Sequence, residues 1–244
     1  MSDLYDDHAD LYDTVFDWNI EDEVDWLVER LGTGCRRVLE PGCGSGRMFA
    51  ALAARGLIVT GIDRSAAMVE RARARNAGTV VLGDMTDFDL DARFDGAICP
   101  INTLGHLSHD EVALHFRAMA RALEPGARYL VQLAIGAAIG DASRWEVDHD
   151  GVRVRATWTV ESRDAERGTE FHRSIFEVVT GPRAGAVHDQ LHEMSYWTTD
   201  TWGAAVAASA FEWAAVYEGS EPGRPRADFT ATGGLLWHEL VRRR

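Results

Sequence analysis

The chain has 244 residues, 46% hydrophobic and 26% charged, a globular composition that argues against a disordered, collagenous or coiled-coil protein. No apolar run reaches the roughly 18 residues of a membrane span, and MSDLYDDHAD lacks the basic and apolar stretches of a secretory signal, so a cytoplasmic protein is expected. The net charge is −14, and all 25 basic residues are arginine, which excludes a P-loop lysine and a lysine Schiff base.

Eleven acidic residues fall within residues 1–30 against the single Arg30. A solvated helical face accounts for them, as does a lip that attracts cationic small molecules. No basic face is supplied for phosphates, so nucleic acid is not an expected partner. Cys35, Cys43 and Cys99 are odd in number and form no C-x-x-C pair, which suggests neither a disulfide framework nor a zinc-thiolate site.

In chain order, Leu4, Tyr5, His8, Leu11, Tyr12, Val15 and Phe16 repeat at helical spacing, and Ile20, Val24, Leu27, Val28 and Leu31 predict a second helix before Gly32. From Arg36 short apolar runs alternate with helices: RRVLE, a glycine turn and a helix through Ala54, LIVTGID, a helix from Ser65 to about Asn76, then TVVLGD and FDGAICP. Such alternation predicts βαβ units and a mostly parallel sheet. Ser108 to Glu111 reads as a capping box for a helix stopped by Pro125-Gly126, and ARYLVQLA is a fifth strand. After Gly140, Val152, Val154, Ala156, Trp158 and Val160 alternate with polar residues, and runs near 169–180 and 186–197 complete an expected three-stranded antiparallel insertion. A helix near 199–209 and the strands FEWAAVYEG and TGGLLWHELV return to the sheet, with Gly219–Arg226 as a surface loop. The expected division is an N-terminal helical lid (1–31), a cofactor-binding core (32–140), the insertion (141–197) and the C-terminal part of the core sheet (198–244).

The turn Glu40-Pro-Gly42-Cys-Gly44-Ser-Gly46 follows the first strand and opens a helix, where glycines accept positive φ and a ligand can approach the backbone. A dinucleotide fingerprint needs glycine at 47, where this chain has Arg47, which counts against an NAD-dependent oxidoreductase. Asp63, 21 residues beyond Gly42, ends the second strand and can accept from two ribose hydroxyls; Asp84 ends the third and can accept from an adenine amino group, with Met85 beside it. As isolated residues, either acid serves equally as a turn or capping residue.

VLEPGCGSGRM, VTGIDRSAAMVERAR, VLGDMTDF and FDGAICPINTLGHL, in this order, resemble the successive motifs of class I S-adenosylmethionine-dependent methyltransferases over about residues 36–135. The resemblance implies a Rossmann-like α/β fold with a seven-stranded, mostly parallel sheet, and S-adenosyl-L-methionine as cofactor. It implies that Gly42, Gly44 and Gly46 border the methionine part, that Glu40 lies near its amino group, and that Asp63 binds ribose and Asp84 adenine. Cys43, Arg64, Met68, Met85 and Pro100 complete the expected cofactor set; Cys43 also reads as a small filler and Cys99 as core.

The segment Cys99-Pro-Ile-Asn102-Thr-Leu-Gly-His106-Leu departs from the N/D-P-P-Y/F pattern of nucleic-acid amino-methylating enzymes and is similar to glycine and amino-sugar N-methyltransferases. That similarity implies His106 near the methyl acceptor, Tyr12 as a lid contact to the cofactor and Tyr5 on the acceptor side. For an amine acceptor, an imidazole with pKa near 6.5 suits proton removal at neutral pH; bonding to backbone explains His106 equally. Asn102, Trp18, His192, Tyr196 and Trp197 are candidates for the acceptor wall, although an exposed polar face accounts for the strand His188-to-Tyr196 more simply. His188 and His192 lie two pleats apart with no convergent carboxylates, so no metal is expected. The expected activity is methylation of a small molecule, N-methylation ahead of O-methylation, with no membrane partner and with a homodimer left open. A non-catalytic cofactor-binding module is the alternative from another class.

Overall fold

The computed structural model describes residues 5, 8–218 and 234–244. Two helices, α1 (Ala9–Val15) and α2 (Glu21–Leu31), precede β1 (Arg37–Pro41), α3 (Phe49–Ala54), β2 (Ile58–Asp63), α4 (Ala66–Arg75), β3 (Thr79–Leu82) and β4 (Phe94–Cys99). A 3-10 turn (Thr103–His106), α5 (His109–Ala122) and β5 (Leu123–Ala134) follow. Then come β6 (Ala142–His149), β7 (Val152–Asp164), β8 (Thr169–Val178), β9 (Val187–Ser195), α6 (Thr199–Ala207), β10 (Phe211–Glu218) and β11 (Leu235–Arg242).

Seven strands form one sheet of order β10-β11-β5-β4-β1-β2-β3, parallel from β5 to β3, with β11 antiparallel to both its neighbours. This is the expected Rossmann-like methyltransferase architecture. Two apolar layers flank the sheet: Phe116, Met119, Trp202 and Phe211 on one face, and Val24, Leu27, Phe49 and Trp237 on the other. Because β1, β2, β3 and β4 are parallel, their carboxyl ends reach one edge, with Pro41, Asp63, Leu82 and Cys99 as last residues. Ligands bind outside such carboxyl ends.

Local chemistry sets several boundaries. Ser65 caps α4 by accepting from the Met68 amide at 3.2 Å, and Asn76 closes it at φ 51°. The capping box of Ser108 and Glu111 starts α5. That helix ends at Ala122, before Pro125-Gly126, because β5 pairs with β4 already at Leu123. The first helix also differs from expectation: Tyr5 and His8 precede it, and Leu4 lies outside the described residues.

The insertion has four strands rather than three, in the order β6-β7-β8-β9. The additional strand β6 alternates charged residues with Trp145 and Val147, and its apolar content is too small to stand out in the sequence. Leu11, Val15 and Phe16 of the lid pack on Val154, Ala156, Phe176 and Val178 of the insertion. The acidic stripe of the lid is partnered rather than simply solvated: Asp13 pairs with Arg71 at 2.8 Å and Arg75 at 3.1 Å, Asp10 pairs with Arg183, and Asp17 lies against the His149 ring. The expected loop Gly219–Arg226 lies outside the described residues. No helix among the described residues is long and apolar enough to cross a membrane.

Candidate functional site

A cavity of about 500 Å³ opens at the carboxyl edge of the sheet, between the glycine turn, the lid and the insertion. The turn is tight. Gly42, Gly44 and Gly46 all hold positive φ (67°, 52° and 71°), and a Cβ on Gly42 would collide with the Thr103 methyl. The Gly42 and Cys43 amides both donate to the Ile62 carbonyl, at 2.7 and 3.0 Å, which fastens the turn to β2. Cys43 packs against β2, its Sγ 2.5 Å from where a Gly61 Cβ would stand, and burial pushes its thiol far above the ordinary range. It therefore fills space and offers no thiolate.

Asp63 accepts the Gly44 amide at 2.7 Å on one oxygen and the Ser65 amide at 2.9 Å on the other. Asp84 accepts both the amide and the hydroxyl of Thr86 at 2.7 Å on one oxygen, and these bonds hold its carboxyl below the usual range. Behind the turn, Glu40 is 2% exposed, and its Oε2 has no partner among the described residues. Burial pushes its pKa up to about 8, against the opposing pull of Arg47.

Tyr12 lies 3.8 Å from the position of a Gly44 Cβ, and burial raises its phenol to about 12. Arg47, in place of the third fingerprint glycine, donates to the Phe16 carbonyl at 2.9 Å. It also lies 3.5 Å from Glu23 and stacks 4.5 Å over the Trp18 ring. Departure from one motif thus supplies an anchor for the lid.

The far half of the cavity is aromatic and polar. The Tyr5 hydroxyl and His106 Nε2 share a hydrogen bond of 3.0 Å. Burial lowers the His106 pKa to about 4, so the imidazole is neutral at neutral pH and does not titrate there, a correction to the expected value near 6.5. Asn102 is left-handed (φ 55°), and its Oδ1 accepts the Ala134 amide at 2.9 Å. Ile101 beside it is left-handed too, an expensive conformation for a β-branched residue, held by Gln132 Oε1 accepting its amide at 2.7 Å.

The cavity brings together Tyr5, Tyr12, Trp18, Gly42, Gly44, Asp63, Arg64, Asp84, Met85, Asn102 and His106. It does not bring in Glu40, Cys43, Gly46, Met68, Pro100, His192, Tyr196 or Trp197 as lining residues. Met68 is buried in the core, and the Pro100 carbonyl accepts the Thr103 hydroxyl at 2.7 Å. Trp197 is buried, stacked on His109 at 4.0 Å, and Tyr196 lies against Arg163. The polar face of β9 points inward rather than to solvent: His192 is buried and bonded to Ser174 Oγ at 2.8 Å. Sequence reasoning missed Asp141, Ser143, Trp145 and His172 as lining residues, and placed Trp158 only as a strand residue. The cue available was the period of two counted back from the apolar Phe176 and Val178, which puts Glu170, His172 and Ser174 of β8 on the same buried face.

Residues 38–126 match the family model of the Methyltransferase domain. The chain is 27% identical over 213 residues to the dTDP-3-amino-3,6-dideoxy-alpha-D-glucopyranose N,N-dimethyltransferase of Streptomyces fradiae, covering 82% of each. It is 33% identical over 110 residues to a ubiquinone biosynthesis O-methyltransferase of Pseudomonas aeruginosa, covering 42% of this chain and 46% of that one. An amino pentose methyltransferase from Micromonospora echinaspora shares the fold, with a TM-score of 0.76 at 22% identity over 99% of both chains. With the glycine turn, Asp63 and Asp84 on one edge of the sheet, residues 38–126 form a methyltransferase domain of the Rossmann-like, S-adenosylmethionine-dependent kind, and the chain is an enzyme.

Proposed function

We propose that the protein N-methylates a small amine of the amino-sugar, amino-acid or natural-product kind. The observation that carries the reading is His106, hydrogen-bonded to Tyr5 at 3.0 Å, lining the same cavity as the glycine turn and the insertion tryptophans Trp145 and Trp158. The Streptomyces fradiae relative, named for an amino-sugar acceptor, supports it across most of the chain.

The cofactor, when bound, supplies a sulfonium methyl that an in-line nucleophile displaces. The residues present fit it: the unpartnered Glu40 Oε2 suits an ammonium, the Asp63 carboxylate the ribose hydroxyls, and the glycines leave backbone room. In this reading Gly42, Gly44 and Gly46 border the methionine part, with Cys43 filling beneath. Asp84 and Met85 take the adenine, Arg64 flanks the ribose, and Tyr12 closes from the lid. Met68 and Pro100 support the floor from behind.

His106 and Tyr5 do the acceptor's work. A neutral imidazole accepts a hydrogen bond from an amine N–H and orients its lone pair toward the methyl, and alignment of this kind supplies much of the catalysis. Its depressed basicity makes it an orienting group rather than the acceptor of an ammonium proton, so the amine must react as its free base. Trp18 and the insertion aromatics surround the acceptor and exclude water.

Incubation with S-adenosylmethionine and a panel comprising dTDP-3-amino-3,6-dideoxy-α-D-glucopyranose, glycine and a catechol, read by mass spectrometry, tests the assignment. Methyl groups on nitrogen support it; methylation of oxygen alone overturns it in favour of O-methylation, the reading that the Pseudomonas relative supports over the core. With an amine turned over, the acidic limb of the rate should follow the acceptor's own pKa across a series of amines and persist in His106→Asn.

A further inference from the structure

The insertion sheet contains a buried polar chain that the chemistry above leaves unused. Arg163 and Glu170 form an ion pair at 2.8 Å, with side chains only 16% and 4% exposed. Glu170 Oε1 lies 2.8 Å from His172 Nε2, and His172 Nδ1 lies 2.9 Å from Trp158 Nε1. Arg163 also donates to the Ala137 carbonyl, and its guanidinium stacks 3.7 Å from the Tyr196 ring centre.

The direction of these bonds follows from the atoms. An indole N–H can only donate, so His172 Nδ1 accepts, the imidazole proton sits on Nε2, and Glu170 accepts it. One partner fixes each ring nitrogen. On a face of the same indole, His192 stacks at 4.7 Å and 16° between planes, and Ser174 holds His192 in turn. Trp158 is thus fixed along its N–H edge and on one face, while it also lines the cavity. A buried ion pair adds little net stability over apolar packing of the same volume, so the consequence of this chain is geometric.

We propose that Trp158 is the specificity wall of the acceptor subsite, and that His172, Glu170 and Arg163 are positioning residues that hold its indole plane against a planar or C–H-rich face of the acceptor. The proposal rests on reading the insertion half of the cavity as the place of the methyl acceptor.

The probe is whichever amine of the panel the wild-type enzyme methylates. His172→Phe should raise the acceptor KM about tenfold, the equivalent of one lost hydrogen bond, while kcat and the calorimetric affinity for S-adenosylhomocysteine stay unchanged. His172→Asn, whose carbonyl can accept the indole N–H, should restore the KM. Trp158→Phe should raise KM alike, and the double variant no further, since both remove one interaction. An unmoved KM in His172→Phe, or additive effects in the double variant, overturns the proposal.

If no amine is turned over, the N-methylation reading falls on its own, and the positioning is read without an acceptor. In ¹⁵N-labelled protein the Trp158 indole N–H signal, identified by its loss in Trp158→Phe, should move in His172→Phe and return in His172→Asn. A signal indifferent to residue 172 overturns the arrangement. Should the phenylalanine variant not fold, Glu170→Gln serves in its place: its amide oxygen still accepts from Nε2, so the indole signal should stay put, and displacement of that signal counts against the relay.

Discussion

On the glycine-turn half of the cavity the polar contacts are made chiefly by backbone amides. Asp63 accepts two amides, Asp84 accepts that of Thr86, and Gly42 and Cys43 donate to Ile62. On the insertion half they run mainly between side chains: Trp158 to His172, Glu170 to Arg163 and Ser174 to His192 cross between strands, and His172 to Glu170 runs along β8. Contacts made to backbone depend on chain geometry, so few residue types satisfy them and the spacing along the sequence is constrained. Contacts between side chains across strands can be rebuilt with other pairs. The first half is thereby suited to a fixed ligand and the second to a variable one.

The sharpest way to break this comparison is at Asp63. Its replacement by alanine removes charge-assisted bonds on the turn side and should weaken S-adenosylmethionine and its demethylated product by about 1–3 kcal/mol in calorimetry. Unchanged affinity would show that the turn holds the cofactor by backbone alone.

Glu40 sharpens it through pH. The folded carboxyl titrates at about 8, far above an unfolded glutamate, so the folded state binds the extra proton. Stability from this group is present below the unfolded pKa and is lost as pH rises toward 8. Without cofactor, wild type should therefore lose Tm relative to Glu40→Gln between about pH 5 and 8. In the same window cofactor affinity should rise with pH in wild type and stay flat in the variant, since an ionised Glu40 is what pairs with an ammonium. Parallel Tm curves would remove the buried carboxyl from the account.

The smallest effect belongs to the lid. Asp13→Asn breaks two partly exposed pairs, with Arg71 and Arg75, and should cost about 0.2–1 kcal/mol in denaturant unfolding, less at high salt. A larger loss would mean that lid docking by Leu11, Val15 and Phe16 depends on that acid.

The alternation of strands and helices, the parallel sheet and the glycine turn were legible because each rests on local rules: period, caps and positive φ. Ser108 with Glu111 and the three turn glycines are examples. The insertion was less so. Polarity alternation misdirects on β8 and β9, where Glu170, His172, Ser174 and His192 are polar yet turned inward because they satisfy one another. The strand β6 was missed because its alternation is mostly charged, and the partners of Trp145 are distant in sequence: the Val15 carbonyl accepts its N–H at 2.8 Å, and its ring meets Phe16 and Trp18. The acidity of the first 30 residues was visible, but its partners Arg71, Arg75, Arg183 and His149 are distant in sequence. The basicity of His106 was misjudged because burial is a property of the fold.

One guanidinium joins three things: Arg47 rises from the turn, grips the Phe16 carbonyl and the Trp18 ring, and approaches Glu23 at the start of α2. Occupancy of the turn and closure of the N-terminal corner then share a single thermodynamic cycle. Whatever free energy a ligand gains from a shut corner, the shut corner gains from the ligand, by the same factor.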